Sequence, residues 1–166
     1  IANDLRLFMS YGTAFKAPSF NELYYPNFGV PTLEPEESAT FEAGLRGEQR
    51  ATQWSLAFFS TKVDELIGYD AAFNQLNIDK ASIRGLEFEL NRALGRYWHL
   101  DVDLSLLSPI NESSGMNKHK LLTRRPKVSG RVHISYIEDT WSLGAILAHA
   151  GTRYDDAANT KKLKSY

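Results

Sequence analysis

The chain has no cysteine. That excludes disulfide frameworks and thiolate metal sites, and it leaves the compartment open. Nothing approaches the roughly 18 consecutive apolar residues of a membrane-spanning helix, although alternating barrel strands would not show in that test. Charge of one sign is also missing: 19 basic residues face 20 acidic ones for a net charge of −1. A dedicated nucleic-acid binder would be basic, so nucleic acid is not an expected partner. Neither a Gly-rich phosphate loop nor a nucleophile elbow nor a signal peptide at Ile1 is present; a processed chain or a fragment would begin in the same way. GLRGEQ at 44–49 does not match GxGxxG and leads into a strand. At 166 residues the chain is long enough for one domain with a core, and no linker or solenoid-type repeat divides it.

What is present is period-two alternation, with helical spacing poor almost throughout. Strands are expected over 4–14, 38–48, 51–68, 77–91, 96–108, 125–138 and 140–154, with an eighth starting near Leu163. The connections alternate between long (15–37, 69–76, 109–124) and short (49–50, 92–95, 139–140). In an up-and-down meander this puts every long loop at one end of the sheet, as in outer-membrane barrels. The faces separate as well. Leu86, Phe88, Leu100, Val102, Leu104 and Ile134 fall on an apolar face. Glu42, Arg46, Glu87, Asp101, Asp103, Arg131 and His133 fall on the other, which reads as the wall of a polar lumen. Trp54, Trp98 and Trp141 each follow a short turn on the apolar face, and Tyr136 precedes one. Four amphipathic rings at one height are an interfacial girdle, which a soluble sandwich has no reason to build.

Candidate chemistry is thin. A tight turn near 92–95 would set Glu89 opposite His99 and Glu87 opposite Asp101, an acidic patch that could hold a general acid and base. A lumen wall balanced by Arg131 and His133 is the simpler reading, and no catalytic residue is assigned. His99, His119, His133 and His149 show no metal-ligand spacing, so no metal site is expected. Asp155, Asp156 and Asn159 offer oxygen donors that calcium accepts, but they read as a solvated loop. Arg84, on the apolar-face parity near the long-loop end, could reach lipopolysaccharide phosphates or simply snorkel. The first long loop carries Phe20, Tyr24, Tyr25 and Phe28, more aromatic surface than solvation requires. Tyr24, Tyr25 and Phe28 are therefore the main candidate ligand contacts, with Phe73 and Asn111 behind them.

Five stretches carry a family resemblance. They are YGTAFKAPSFNELYYPNFGVPTLEPEESATFEAGL at 11–45, ELIGYDAAFNQLNIDKASIRGLEFEL at 65–90, LLTRRPKVSG at 121–130, GTRYDD at 151–156 and LKSY at 163–166. Together, and in this order, they resemble the barrels of TonB-dependent outer-membrane receptors, most nearly the vitamin B12 (cobalamin) receptor group. The resemblance covers nearly the whole chain. It implies an all-β fold: residues 1–166 as a partial segment of a 22-stranded transmembrane β-barrel, with the plug, the TonB box and the terminal strands outside the segment. It implies an active importer rather than an enzyme. The cargo would be cobalamin, with an iron chelate (siderophore) in a receptor of the same family as the alternative. The implied partners are outer-membrane lipid and lipopolysaccharide, the small-molecule ligand, and the TonB complex through the plug. The implied location is the outer membrane of a Gram-negative bacterium. No cofactor is implied in this segment, although calcium binds the outer loops of cobalamin receptors. A soluble lipocalin-like β-barrel, apolar inside, is the rival reading from pattern alone.

Overall fold

The computed structural model describes residues 4–69 and 74–166. The elements run β1 (Asp4–Lys16), α1 (Phe20–Tyr24), β2 (Glu36–Gln49), β3 (Thr52–Tyr69), β4 (Gln75–Leu94), β5 (Trp98–Asn111), β6 (Val128–Glu138), β7 (Trp141–Ala150), β8 (Arg153–Tyr154) and β9 (Lys162–Leu163). β1 to β7 form a single antiparallel sheet in chain order, and β1 and β7 are its two separate edges.

Alternation and register together create the two faces. Trp54, Leu90, Val102, Val132 and Leu147 stand side by side across five strands. One residue along, Ser55, Glu89, Asp103 and Arg131 make the corresponding row on the opposite face. The sheet curls toward the polar side, because Arg6 on β1 and Ile146 on β7 line the same hollow. A lipocalin-like barrel would need the leucines inside and the edges joined; neither is the case.

Among the described residues no second layer covers the apolar face. Leu7, Leu143 and Leu147 are 72%, 66% and 74% exposed. A soluble domain buries such a face against another layer of structure. The one buried apolar cluster among the described residues sits at the long-loop end instead. There Val63, Leu66 and Ala81 of β3 and β4 pack with Leu122 of the 112–127 loop, flanked by Ile78 and Ile83.

Strand ends depart from expectation where backbone chemistry intervenes. β6 begins at Val128 rather than 125, because Arg124 has a left-handed backbone (φ 59°) and Pro126 has no N–H to offer a ladder. β7 stops at Ala150, and the expected eighth strand does not extend the sheet as a named strand. Lys162–Leu163 instead pairs with Arg153–Tyr154 in a small ribbon of its own. Only Tyr166 reaches β7, exchanging both backbone hydrogen bonds with Ala150.

The β4–β5 register is also corrected. The strands continue to Leu94 and resume at Trp98, so that Glu89 faces Asp103 and Asn91 faces Asp101. The turn is the three residues 95–97, carried by Gly95 at φ +81°, a conformation that other residues reach only with strain.

A second glycine has a packing role. At Gly44 the Phe8 ring and the Leu56 carbonyl oxygen occupy the space a Cβ would need. Phe8 lies over that notch and stacks on Arg46, whose Cζ is 4.4 Å from the ring centroid. Gly44→Ala should force β1 away from β2 and destabilise the intact protein by roughly 1–3 kcal/mol, the cost of overpacking. Gly12→Ala, with no atom within 4 Å of the new methyl, should be neutral. Denaturant midpoints of the two variants in lipid or detergent check the difference.

Candidate functional site

The loop 17–35 leaves β1 and folds back over the long-loop end. Ser19 starts α1 with a reciprocal cap: its hydroxyl accepts the Glu22 N–H at 3.3 Å, and the Glu22 carboxylate accepts the Ser19 N–H at 2.6 Å. The Ser19 backbone N–H is the main reason the Glu22 carboxyl lies below the usual carboxylate range. The local sequence Ser-x-x-Glu calls for this cap, yet the segment reads as plain loop in the sequence because a five-residue helix leaves no periodic trace.

Two aromatic pairs result. Phe20 and Tyr24 meet at 5.1 Å between centroids, and Tyr25 and Phe28 at 6.3 Å. All four rings are at least half exposed. The loop that carries them is tied down from behind. Asn77 of β4 accepts the Glu34 N–H at 2.9 Å and donates to the Glu34 and Glu65 carbonyls at 3.0 and 2.8 Å. Glu36 accepts the Ile67 N–H at 3.0 Å. Tyr24, Tyr25 and Phe28 thus stand on a braced platform. Phe73 lies outside the described residues. Asn111 needs correction: it is the buried last residue of β5, and its Oδ1 accepts the Ser113 N–H at 2.8 Å. That side chain closes its own turn rather than facing outward.

Toward the short turns, the polar face gathers five of the seven expected wall residues. Arg46, Asp101, Asp103, Arg131 and His133 line one hollow of about 890 Å³, while Glu42 and Glu87 stand on the same face outside it. Arg131 Nη2 lies 2.6 Å and its Nε 2.8 Å from Asp103 Oδ2. His133 Nδ1 lies 3.1 Å from Asp101 Oδ2, and Asn91 donates to the other Asp101 oxygen. These carboxylates are held by partners, and the arrangement can hydrate a passage or hold a polar surface.

At the short-turn end the rings of Trp98, Tyr136 and Trp141 form one cluster. Tyr136 lies 5.2 Å from Trp98 and 5.0 Å from Trp141 between centroids. Tyr97 of the 95–97 turn joins at 5.4 Å from Tyr136, and Arg96 lies over it at 5.1 Å. Sequence reasoning missed Tyr97; its position beside Trp98 at a turn was the available signal. Trp54 stands apart, at the same end, over Gly47.

The acidic loop after β7 is not a solvated loop. Asp156 is buried, and its carboxylate accepts the Lys161 N–H at 2.6 Å, the Thr160 N–H at 3.0 Å and the Thr160 hydroxyl at 2.8 Å. These bonds, the Lys161 amide first, hold its pKa down at about 2. Asp155 pairs with Arg124 at 2.7 Å, and Asn159 bonds both backbone groups of Leu121 at 2.8 and 2.9 Å.

A curved sheet of this polarity has counterparts among known proteins. The family model for the β-barrel of TonB-dependent receptors matches residues 1–166. The chain belongs to that family. A vitamin B12 transporter, BtuB, of Photobacterium profundum is 38% identical over the whole of this chain, which spans 28% of that relative. Another, from Vibrio vulnificus, is 31% identical over 91% of this chain and 25% of its own length. Among solved structures, the ferric citrate transporter FecA superposes with a TM-score of 0.77 at 15% identity, over 98% of this chain and 27% of that one. That likeness concerns the fold alone. The sheet is a segment of a receptor barrel wall, and the chain spans about a quarter of the relatives it matches.

Asp156→Ala should loosen the ribbon without disturbing the seven-stranded sheet. Hydrogen exchange at the Thr160 and Lys161 amides is expected to accelerate on the order of tenfold or more. The same loosening should appear on acidification of the unmodified protein. The depressed pKa means the carboxylate's contribution is complete above about 3.8 and is lost as pH falls from there through about 2.

Proposed function

We propose that this chain is a barrel-wall segment of an outer-membrane TonB-dependent importer of cobalamin. The observation that carries the reading is the polarity of the sheet: polar on its concave face, apolar on its convex face, and uncovered there. Lipid is the solvent that makes such a surface stable, since the strands satisfy one another's backbone groups and present only side chains outward. From Trp98 to Leu106, β5 rises roughly 27 Å, or roughly 20 Å along a barrel axis at a tilt of about 40°. That is close to the roughly 25 Å band of such barrels. The Trp98, Tyr136 and Trp141 cluster then lies at the periplasmic interface, and the long loops face outside.

Cargo meets the 17–35 loop first. A corrinoid is a large, partly apolar ring system, and Tyr24, Tyr25 and Phe28 offer exposed, braced aromatic surface for it. The 38%-identical relative named as a vitamin B12 transporter supports cobalamin over an iron chelate. The polar wall serves as a hydrated lining for the plug and for passage. Energy comes from the TonB complex through parts of the receptor beyond this segment, and no step requires this segment to be an enzyme.

Tyr24→Ala and Tyr25→Ala in the full-length receptor should each weaken cobalamin binding about tenfold, corresponding to about 1.4 kcal/mol. Equilibrium binding to outer-membrane preparations reads this directly. Ser19→Ala, which removes the helix cap, should produce a smaller loss by releasing the platform. Unchanged cobalamin affinity in the double tyrosine variant would take the loop out of the site. A loss confined to a ferric chelate would move the cargo to that class.

A further inference from the structure

The β3–β4 ladder pairs Asp64 with Lys80 and then Leu66 with Ile78, and passes over Glu65 and Asp79 between them. Glu65 has a left-handed backbone (φ 54°), which a residue with a Cβ adopts only with strain. Its carbonyl accepts from the Asn77 side-chain amide at 2.8 Å. The same amide donates to the Glu34 carbonyl at 3.0 Å, and Asn77 Oδ1 accepts the Glu34 N–H at 2.9 Å. Asn77 is half-buried on β4 and so joins backbone 12 and 43 positions away. Its ladder partner Ile67 donates its N–H to Glu36 Oε1 at 3.0 Å, and Lys16 donates to the same oxygen at 3.0 Å. The returning limb of the first loop is thus stapled at Glu34 and Glu36 to one row of β3 and β4. From there the ties run on to the aromatics. Leu33 is buried, and its N–H bonds the Val30 carbonyl at 3.2 Å; the Val30 N–H bonds the Glu22 carbonyl of α1 at 2.9 Å. Tyr24 ends that helix and Tyr25 caps it, and the Tyr25 carbonyl accepts the Phe28 and Gly29 N–H groups at 3.1 and 2.7 Å.

We propose that Asn77 is a positioning residue for cargo capture: from β4 it fixes where Tyr24, Tyr25 and Phe28 stand. The inference rests on the reading of the first loop as a cargo contact, and it adds to that site a residue from a different hairpin. An aromatic surface held in place before cargo arrives loses less conformational freedom on binding than one that must first be ordered. The bridge calls for a primary amide. Two N–H donors and one oxygen acceptor match both backbone groups of Glu34 and the freed carbonyl of Glu65. An ionised aspartate of the same shape keeps the acceptor and has no donor. The strained turn at Glu65 has its counterpart here: it withdraws one carbonyl from the β3–β4 ladder and gives it to the side chain that holds the loop.

The test is a mutant cycle in the full-length receptor, read by equilibrium binding of cobalamin to outer-membrane preparations. Asn77→Ala alone should weaken binding about fivefold. On the Tyr24→Ala/Tyr25→Ala background the same substitution should cost less than about twofold, because a residue that acts through the tyrosines has nothing left to position. Hydrogen exchange at the Val30 and Leu33 amides should quicken in Asn77→Ala on the order of tenfold, with the β5–β6 ladder unchanged. Full affinity in Asn77→Ala overturns the proposal. So does a further fivefold loss on the tyrosine background, which would make Asn77 a contact of its own or a general support of the barrel. If Asn77→Ala does not assemble, judged by heat-modifiable gel mobility, Asn77→Asp replaces it throughout the cycle. That variant should lose at least as much affinity, and unchanged binding there is equally fatal. The tyrosine variant by itself reports on the underlying reading. If it binds cobalamin normally, the loop is not the cargo contact and the proposal falls with it; if it binds weakly while Asn77→Ala binds normally, the proposal alone fails.

Discussion

Every strand of the wall satisfies its backbone sideways. Residue by residue, β1 to β7 exchange N–H and C=O bonds with the next strand in the chain, and no hydrogen bond needs to be made above or below the sheet. This lateral ladder leaves both faces free to be chosen independently. One face can then be apolar without a second layer of protein, and the other can be charged without a buried partner. Slip β5 by a residue and Leu104 would turn to the polar face while Asp103 turned to the apolar one. The turn geometry that prevents the slip, such as Gly95 in the 95–97 turn, therefore guards the polarity of the whole wall.

Individually the side-chain interactions on the polar face are weak. Arg131 and Asp103 are 56% and 43% exposed, and such a pair contributes at most about 1 kcal/mol. Arg46 over Phe8 contributes a similar amount at an exposed site. Their value is positional: they hold the charges of the hollow paired. On the convex face aromatic rings gather at the lower edge, where Trp98, Tyr136 and Trp141 meet.

The mouth obeys a different rule. Beyond the β8–β9 ribbon and the Ile110–Leu121 bridge the long loops have no ladder, and side chains that bond distant backbone help to fix them. Asn77 holds Glu34, Asn159 holds Leu121, and Asp156 holds residues 160 and 161. These polar anchors and the small cluster around Leu66 and Leu122 replace the missing core. In the first loop the four exposed aromatics meet in two pairs, and the backbone behind them is held at Glu34 by Asn77.

The seven strands, their order, the end at which the long loops lie and the two faces followed from sequence alone, because a two-residue period and the alternation of loop lengths are local properties. The family followed too, from short stretches in a fixed order. Tertiary structure decided what depends on partners remote in the chain. It set the β4–β5 register, which hangs on one left-handed glycine. It moved the start of β6 past Pro126, and it turned the expected eighth strand into a ribbon. It made Asn111 and Asp156 into internal anchors, where the sequence put the one among the candidate ligand contacts and the other in a solvated loop. A polar side chain near a strand end can face ligand, lipid or its own backbone. Only the position of the neighbouring N–H groups, which the chain brings together on folding, decides among them.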